Sequence, residues 1–406
     1  MKHTLHVNKS VRYGSSILLI LVFAFASLGV SSPAHTEQIS ASQIAISNYL
    51  AAQQNSDLSD EEKIKAAIDA YFTTRYEGQK LLEQQDFSPL LDDNTLDWVK
   101  KEKDKREIEI YVATLYDSPY VEYKYTIDYD SITIDKNKAI VQLRESNEVV
   151  TKIDLATSYM GNLPHTIILH HKNKKGWVIF MDEYQDELNQ GLAYQTKEEL
   201  LQKVNENYKK GKQQISTPTN EKLMATNAQL LALTTYPYNR TLAYNYAYAY
   251  WNTTNPPYYR GLANDCANFV SQAIYAGESK TPPDTSGMGI NGNYTYDWYY
   301  VWNNSGSKPW INVSSQHSFI TGNTSRIGPY GSGTPAFCDA NIGDVVQLQD
   351  ASGWFHEGIV VGKSNPCGGA YSIYVAAHTT NRWNYNLYNW TMYGIRFIRI
   401  LGWRGN

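Results

Sequence analysis

Apolar positions follow three different rhythms along this chain. An apolar run at 17–30 follows Lys2, Lys9 and Arg12 and precedes Ser32-Pro33-Ala34. That is the layout of a secretory signal peptide, short for a membrane span and followed by small residues suited to cleavage near Ala34. Farther on, Ser59-Asp60-Glu61-Glu62 forms a capping box ahead of Ile64, Ala67, Ile68, Tyr71 and Phe72, whose spacing predicts a long helix. Past Arg106, short runs at 108–115, 121–129, 139–143, 165–171 and 177–182 carry β-branched and aromatic residues in strand-like order. A helix followed by a meander predicts an α+β roll. Residues 198–210 are charged with helical character, and 213–220 are rich in turn and breaker residues.

The second half begins with a tyrosine- and alanine-rich helical stretch from Tyr238 to Trp251, stopped by Asn255-Pro256-Pro257. The next helix opens on Cys266, with Phe269, Val270, Ala273 and Ile274 on one face and Gly277 where a left-handed cap would stand. Runs at 343–349 and 354–361 read as strands joined by a tight hairpin turn at Asp350-Ala351-Ser352-Gly353. A third strand at 371–378 ends on His378.

Composition shifts near residue 230. The chain has 36 Lys/Arg and 40 Asp/Glu, yet only ten and eight of them lie beyond position 230, where eight of the ten tryptophans gather after residue 250. The expected organisation is a signal peptide (1–34), an N-terminal α+β domain (35–190), a polar linker (191–232) and a C-terminal domain (233–406). Removing the three cationic leader residues takes the net charge from -4 to -7. A mildly acidic secreted chain offers nothing to nucleic acid and no stable membrane insertion after cleavage. Of the three cysteines, Cys338 and Cys367 flank a compact strand-rich segment and would close a loop of about 30 residues. That pairing leaves Cys266 free. No two cysteines have zinc-ligand spacing, so neither metal nor cofactor is expected.

A thiol in a helix's first turn meets unpaired N–H groups and the positive end of the helix dipole, which favour the thiolate and supply donors for an oxyanion, the N–H of Cys266 first among them. The competing reading is a cysteine buried on a core-facing stripe. Beyond residue 230 the available bases are His317, His356 and His378. His356 stands near the start of one strand and His378 at the end of the next, so one can take the thiol proton and the other orient it, with Asp265 and Asn381 in support. Each could equally cap a strand or loop. His165, His170 and His171 read as structural histidines.

Several blocks together carry a family likeness: Tyr244-Asn245-Tyr246-Ala247, residues 264–272 around Cys266, Trp310-Ile311-Asn312-Val313, Gly343-Asp344-Val345-Val346, His356 with Ile359-Val360-Val361, and Ala377-His378-Thr379. Over about 170 residues the chain closely resembles the putative amidase domain of secreted bacterial proteins, a branch of the NlpC- and CHAP-like papain-fold hydrolases. The resemblance implies a papain-like fold, with the nucleophile helix packed on an antiparallel sheet. It implies Cys266 as nucleophile, His356 as general base and acid, and His378 as the residue that orients the imidazole. Glu357 and Glu278 depart from the family pattern, at positions not expected to touch the chemistry. The implied activity is secreted hydrolysis of an amide bond in cell-wall peptidoglycan or a related peptide. Acyl transfer to an amine shares its first half, and a wall- or partner-binding module without turnover is the alternative class. Tyr294, Tyr296, Trp298, Tyr299, Tyr300 and Trp302 could line a substrate groove or fill the core. The N-terminal region, closing on residues 176–184, resembles a cone-shaped NTF2-like roll and reads as a wall-facing or autoregulatory domain.

Overall fold

A computed structural model describes residues 39–92, 96–153, 155–214, 233–255, 258–290, 292–302, 304–334 and 336–405. The signal peptide and positions 215–232 of the expected linker lie outside the described residues. Helices α1 (Ala41–Gln54), α2 (Asp60–Leu81) and α3 (Leu96–Leu115) lead into strands β1 (Tyr120–Asp135), β2 (Lys138–Thr151), β3 (Thr157–Lys172) and β4 (Gly176–Tyr184). Then come α4 (Glu187–Tyr194), α5 (Lys197–Gln214), β5 (Thr234–Tyr236), α6 (Arg240–Tyr250), α7 (Cys266–Gly277), α8 (Lys308–Ile311) and α9 (Val313–Gly322). The chain closes with β6 (Gly328–Thr334), β7 (Val345–Asp350), β8 (Gly353–Lys363), β9 (Ile373–Ala377), β10 (Asn381–Asn386) and β11 (Gly394–Gly405). The architecture is mixed α and β around a large antiparallel sheet.

The capping box forms as the sequence dictates: Ser59 accepts from the Glu62 N–H and Glu62 answers to the Ser59 N–H, while Ile64, Ala67, Ile68, Tyr71 and Phe72 are buried. Residues 108–115 do not form a strand. They complete α3, because Ile108 and Val112, with Tyr116 just beyond, recur every four residues and bury one stripe, a match to the helical period that their β-prone composition masks. The expected linker is also partly structured. Residues 197–214 are helix α5, whose Leu200 and Val204 are fully buried.

The sheet runs β1-β2-β3-β10-β9-β8-β7-β11-β5, with β4 on β3 and β6 on β11. Strand β3 is long enough to serve two partners: residues 165–172 pair with β4, while Tyr159, Met160 and Gly161 pair with Trp383, Arg382 and Asn381 of β10. The N-terminal and C-terminal strands thereby share one sheet. Over the C-terminal strands, α6 and α7 cover one face, where Phe269, Val270 and Ile274 meet Val345, Ile359 and Val361. The other face is covered by Ile108 and Val112 of α3, Leu188 of α4, and Leu200 and Val204 of α5, which meet Val346, Leu348, Val360 and Val375. Tyrosine- and isoleucine-rich α2 fills a third core against β2, β3 and β4.

Two local features frame the site. The hairpin closes at Asp350 opposite Gly353, where Gly353 adopts φ 119°, a region only glycine enters freely. Gly277 is the last residue of α7 and no left-handed cap. It is small because a Cβ there would stand 2.1 Å from the Tyr238 ring, and the positive φ falls at Ser279.

Candidate active site

The start of α7 is fixed from outside the helix. Asp265 makes no capping bond to a helix N–H. Its Oδ1 accepts from the Leu262 N–H at 3.0 Å and from Asn268 Nδ2 at 2.8 Å, and Oδ2 lies 2.7 Å from His378 Nδ1. His378 Nε2 faces the Tyr250 carbonyl at 2.8 Å, and its ring stacks on Phe269 with centroids 4.0 Å apart. Both ring nitrogens are thus taken by oxygen partners, and His378 anchors the helix start. The Asp265 N–H donates to Thr379 Oγ1 at 3.1 Å. Asp265, His378 and Asn381 come together along a surface pocket of about 260 Å³ that also takes in Asn252 and Thr254.

Cys266 is 4% exposed and packs against Ala267, Val313 and Trp354. The backbone N–H groups of Glu357 and Ala267 lie near its sulfur and favour the thiolate. A lowered thiol pKa, expected from the helix end, is not what this environment produces. Burial pushes the thiol up to about 12, the Glu357 carboxyl adds to the rise, and the two N–H groups oppose it. Loss of water outweighs a helix terminus because the dipole's pull amounts to a fraction of a charge.

The residue beside the thiol is Glu357. It is fully buried on β8, and burial pushes its carboxyl up to about 8. Gln347 Nε2 donates to Oε2 at 2.5 Å, and the Gln316 side chain approaches the same carboxyl. Gln347 is held in turn, with Nε2 also donating to the Val313 carbonyl at 2.8 Å and Oε1 accepting from Arg396 Nε at 2.8 Å. The Arg396 guanidinium lies 3.7 Å from the Trp354 ring centroid, so the carboxyl, its amide support and the indole over the thiol form one chain of contacts.

His356 does not join them. Side chains alternate along a strand, and β8 turns Glu357, Ile359 and Val361 toward α7 while His356 and Val360 face away. His356 Nε2 is 3.5 Å from Glu187 Oε1, and its ring meets Trp390 edge-on at 5.2 Å. Burial there lowers its pKa. The pairing of His356 with Cys266 read from the sequence is therefore corrected: one residue's step along the strand puts the imidazole across the sheet from the sulfur. The free thiol and the bridge are as read, with Cys338 bonded to Cys367 and Cys266 unpaired. Among the aromatic residues of 294–302, Trp298 and Tyr300 are core, while Tyr294 and Tyr296 are more than half exposed.

A thiol at a helix start, set against a strand in this order of blocks, invites comparison with known families. Residues 237–400 match the family described as a putative amidase domain. The matched region spans α6 to the middle of β11 and contains every side chain around the thiol. No match is found among curated proteins. Among solved structures, a conserved protein from Planctomyces limnophilus DSM 3776 is similar at 13% identity, covering 29% of this chain and 91% of its own, with a TM-score of 0.21.

Glu357 is the functional candidate that sequence reasoning passed over. Its signal was present, since Ile359 and Val361 had to face a buried helix and Glu357 shares their parity, but a departure from the family pattern drew attention to its novelty and not to its face.

Proposed function

We propose that the amidase domain hydrolyses an amide bond, with Cys266 as nucleophile and Glu357 as the proton carrier. The single observation that supports this reading is a buried carboxyl placed beside a buried thiol at the start of α7. The Glu357 carboxylate, populated as pH rises toward about 8, takes the thiol proton as the sulfur bonds to the substrate carbonyl carbon. Glu357 then returns that proton to the amide nitrogen as the C–N bond breaks and the amine leaves. Water attacks the acyl-enzyme, gives a proton to Glu357, and the thiol re-forms as the acid departs. The N–H of Cys266 is the proposed oxyanion donor. Asp265 and His378 act by holding the helix start, and Trp354 must move for a substrate to reach the sulfur. The secretory pattern at 1–34 and the exposed Tyr294 and Tyr296 support a peptide of the cell wall as substrate.

Purified cell wall and simple acyl amides, with released amines read by mass spectrometry, test the proposal. Cys266→Ala is expected to abolish release, and Glu357→Gln to lower it by about 100- to 10,000-fold. His356→Ala should cost less than about tenfold. Loss of activity in His356→Ala with Glu357→Gln active would return the base to the histidine and overturn the role given to Glu357. Stoichiometric wall binding by the parent protein without any product would favour the binding module.

A further inference from the structure

On the face of the sheet away from the thiol, a cavity of about 110 Å³ lies between the N-terminal helices and β10. Three guanidinium groups line it: Arg75 of α2, Arg106 of α3 and Arg382 of β10. Two are fully committed. Arg382 grips Glu187 through Nε at 3.2 Å and Nη2 at 2.8 Å, and Arg106 bonds Glu102, Glu109 and the Tyr184 hydroxyl. The acids of the wall are also served, since Glu145 bonds His165 and Tyr76 while Asp186 bonds Lys105.

Arg75 is different. Its side chain is 10% exposed and it stacks near the rings of Phe72, Tyr184 and Tyr71, 5.1 to 5.6 Å from their centroids. Its nearest acid is Glu145, at 3.6 Å from Nη1, and neither Nε nor Nη1 has a hydrogen-bond acceptor. A second donor without an acceptor, Trp390 Nε1, belongs to the same lining. Buried N–H groups without partners are costly, and a cation among them more so. Several such donors around one void specify the chemistry that fills it: a compact acceptor, anionic where it meets Arg75, with room for a short apolar or hydroxylated tail beside Trp390. The volume corresponds to about four water molecules, which limits the occupant to a few carbon atoms.

We propose that this cavity is a binding site for a small organic carboxylate, its oxygens accepting from Arg75 and Trp390. The site is formed jointly by both halves of the chain and is independent of the amide chemistry on the opposite face.

Calorimetric titration of the full chain with acetate and with propionate tests it, with methylammonium as the cationic control. Saturable binding of a carboxylate at about millimolar affinity is expected, with no binding of methylammonium. Arg75→Met should weaken it at least tenfold. Trp390→Phe, which keeps a ring and removes the N–H, should weaken it about threefold and serves as the decisive variant if Arg75→Met does not fold. Absence of saturation by either carboxylate to about 50 mM would show that the cavity holds water only and overturn the proposal, as would equal affinity in parent and Trp390→Phe together with binding of methylammonium.

Discussion

At the start of α7 burial raises the cost of ionising both the Cys266 thiol and the Glu357 carboxyl, and the carboxyl adds to the cost at the thiol. The carboxyl is shifted from 4.5 to about 8, so the folded protein holds a proton that the unfolded chain releases above the ordinary carboxylate range. The stability linked to that proton is complete below about pH 4.5 and is lost as pH rises toward 8, a total of up to about 5 kcal/mol. Glu357→Gln, which imitates the neutral form, should therefore raise the melting temperature at pH 8 and leave it nearly unchanged at pH 4. Equal shifts at both pH values would refute the assignment. The thiol, pushed up to about 12, should react with iodoacetamide slowly at neutral pH and faster as pH climbs past 8. Trp354→Ala, by uncovering the sulfur, is expected to speed alkylation at every pH, whereas unchanged rates would mean the indole does not guard the thiol.

At the scale of elements, what could be read from the sequence was what neighbours in sequence decide. The capping box at Ser59, the helix opening on Cys266 and the hairpin between Asp350 and Gly353 each depend on a few adjacent residues, and each forms. Residues 108–115 misled because isoleucine, valine and tyrosine favour strands when nothing covers them, and only the partners Leu200 and Val204 select the helical stripe. The facing of β8 was hidden for a related reason. A period of two places His356 and Glu357 on opposite sides whatever the rest of the chain does, but the side that receives α7 is settled by tertiary packing. Helix α5 provides a test of such packing. Leu200→Ala should destabilise the protein by about 3 kcal/mol, read as a lower urea midpoint, while a negligible change would mean α5 contributes little to the shared core.

For the molecule as a whole, charge and composition suggested a break near residue 230, but the fold puts one core across it. Ile108, Val112, Leu188, Leu200 and Val204 cover the strand face that holds Val346, Val360 and Val375. A fragment of 233–406 alone would expose that face, and it should aggregate unless 39–214 is supplied in trans. Soluble, cooperative unfolding of the fragment by itself would show that the shared core is dispensable. Strand β3 adds a temporal meaning to the same join. Residues 159–161 leave the ribosome more than 200 residues ahead of their partners at 381–383, so an unsatisfied edge stands ready through most of synthesis. That edge is a docking template for the last part of the chain and, until it is occupied, a point of capture for any other passing strand. Substitutions in β10 should accordingly be felt first in yield, before they are felt in the finished protein.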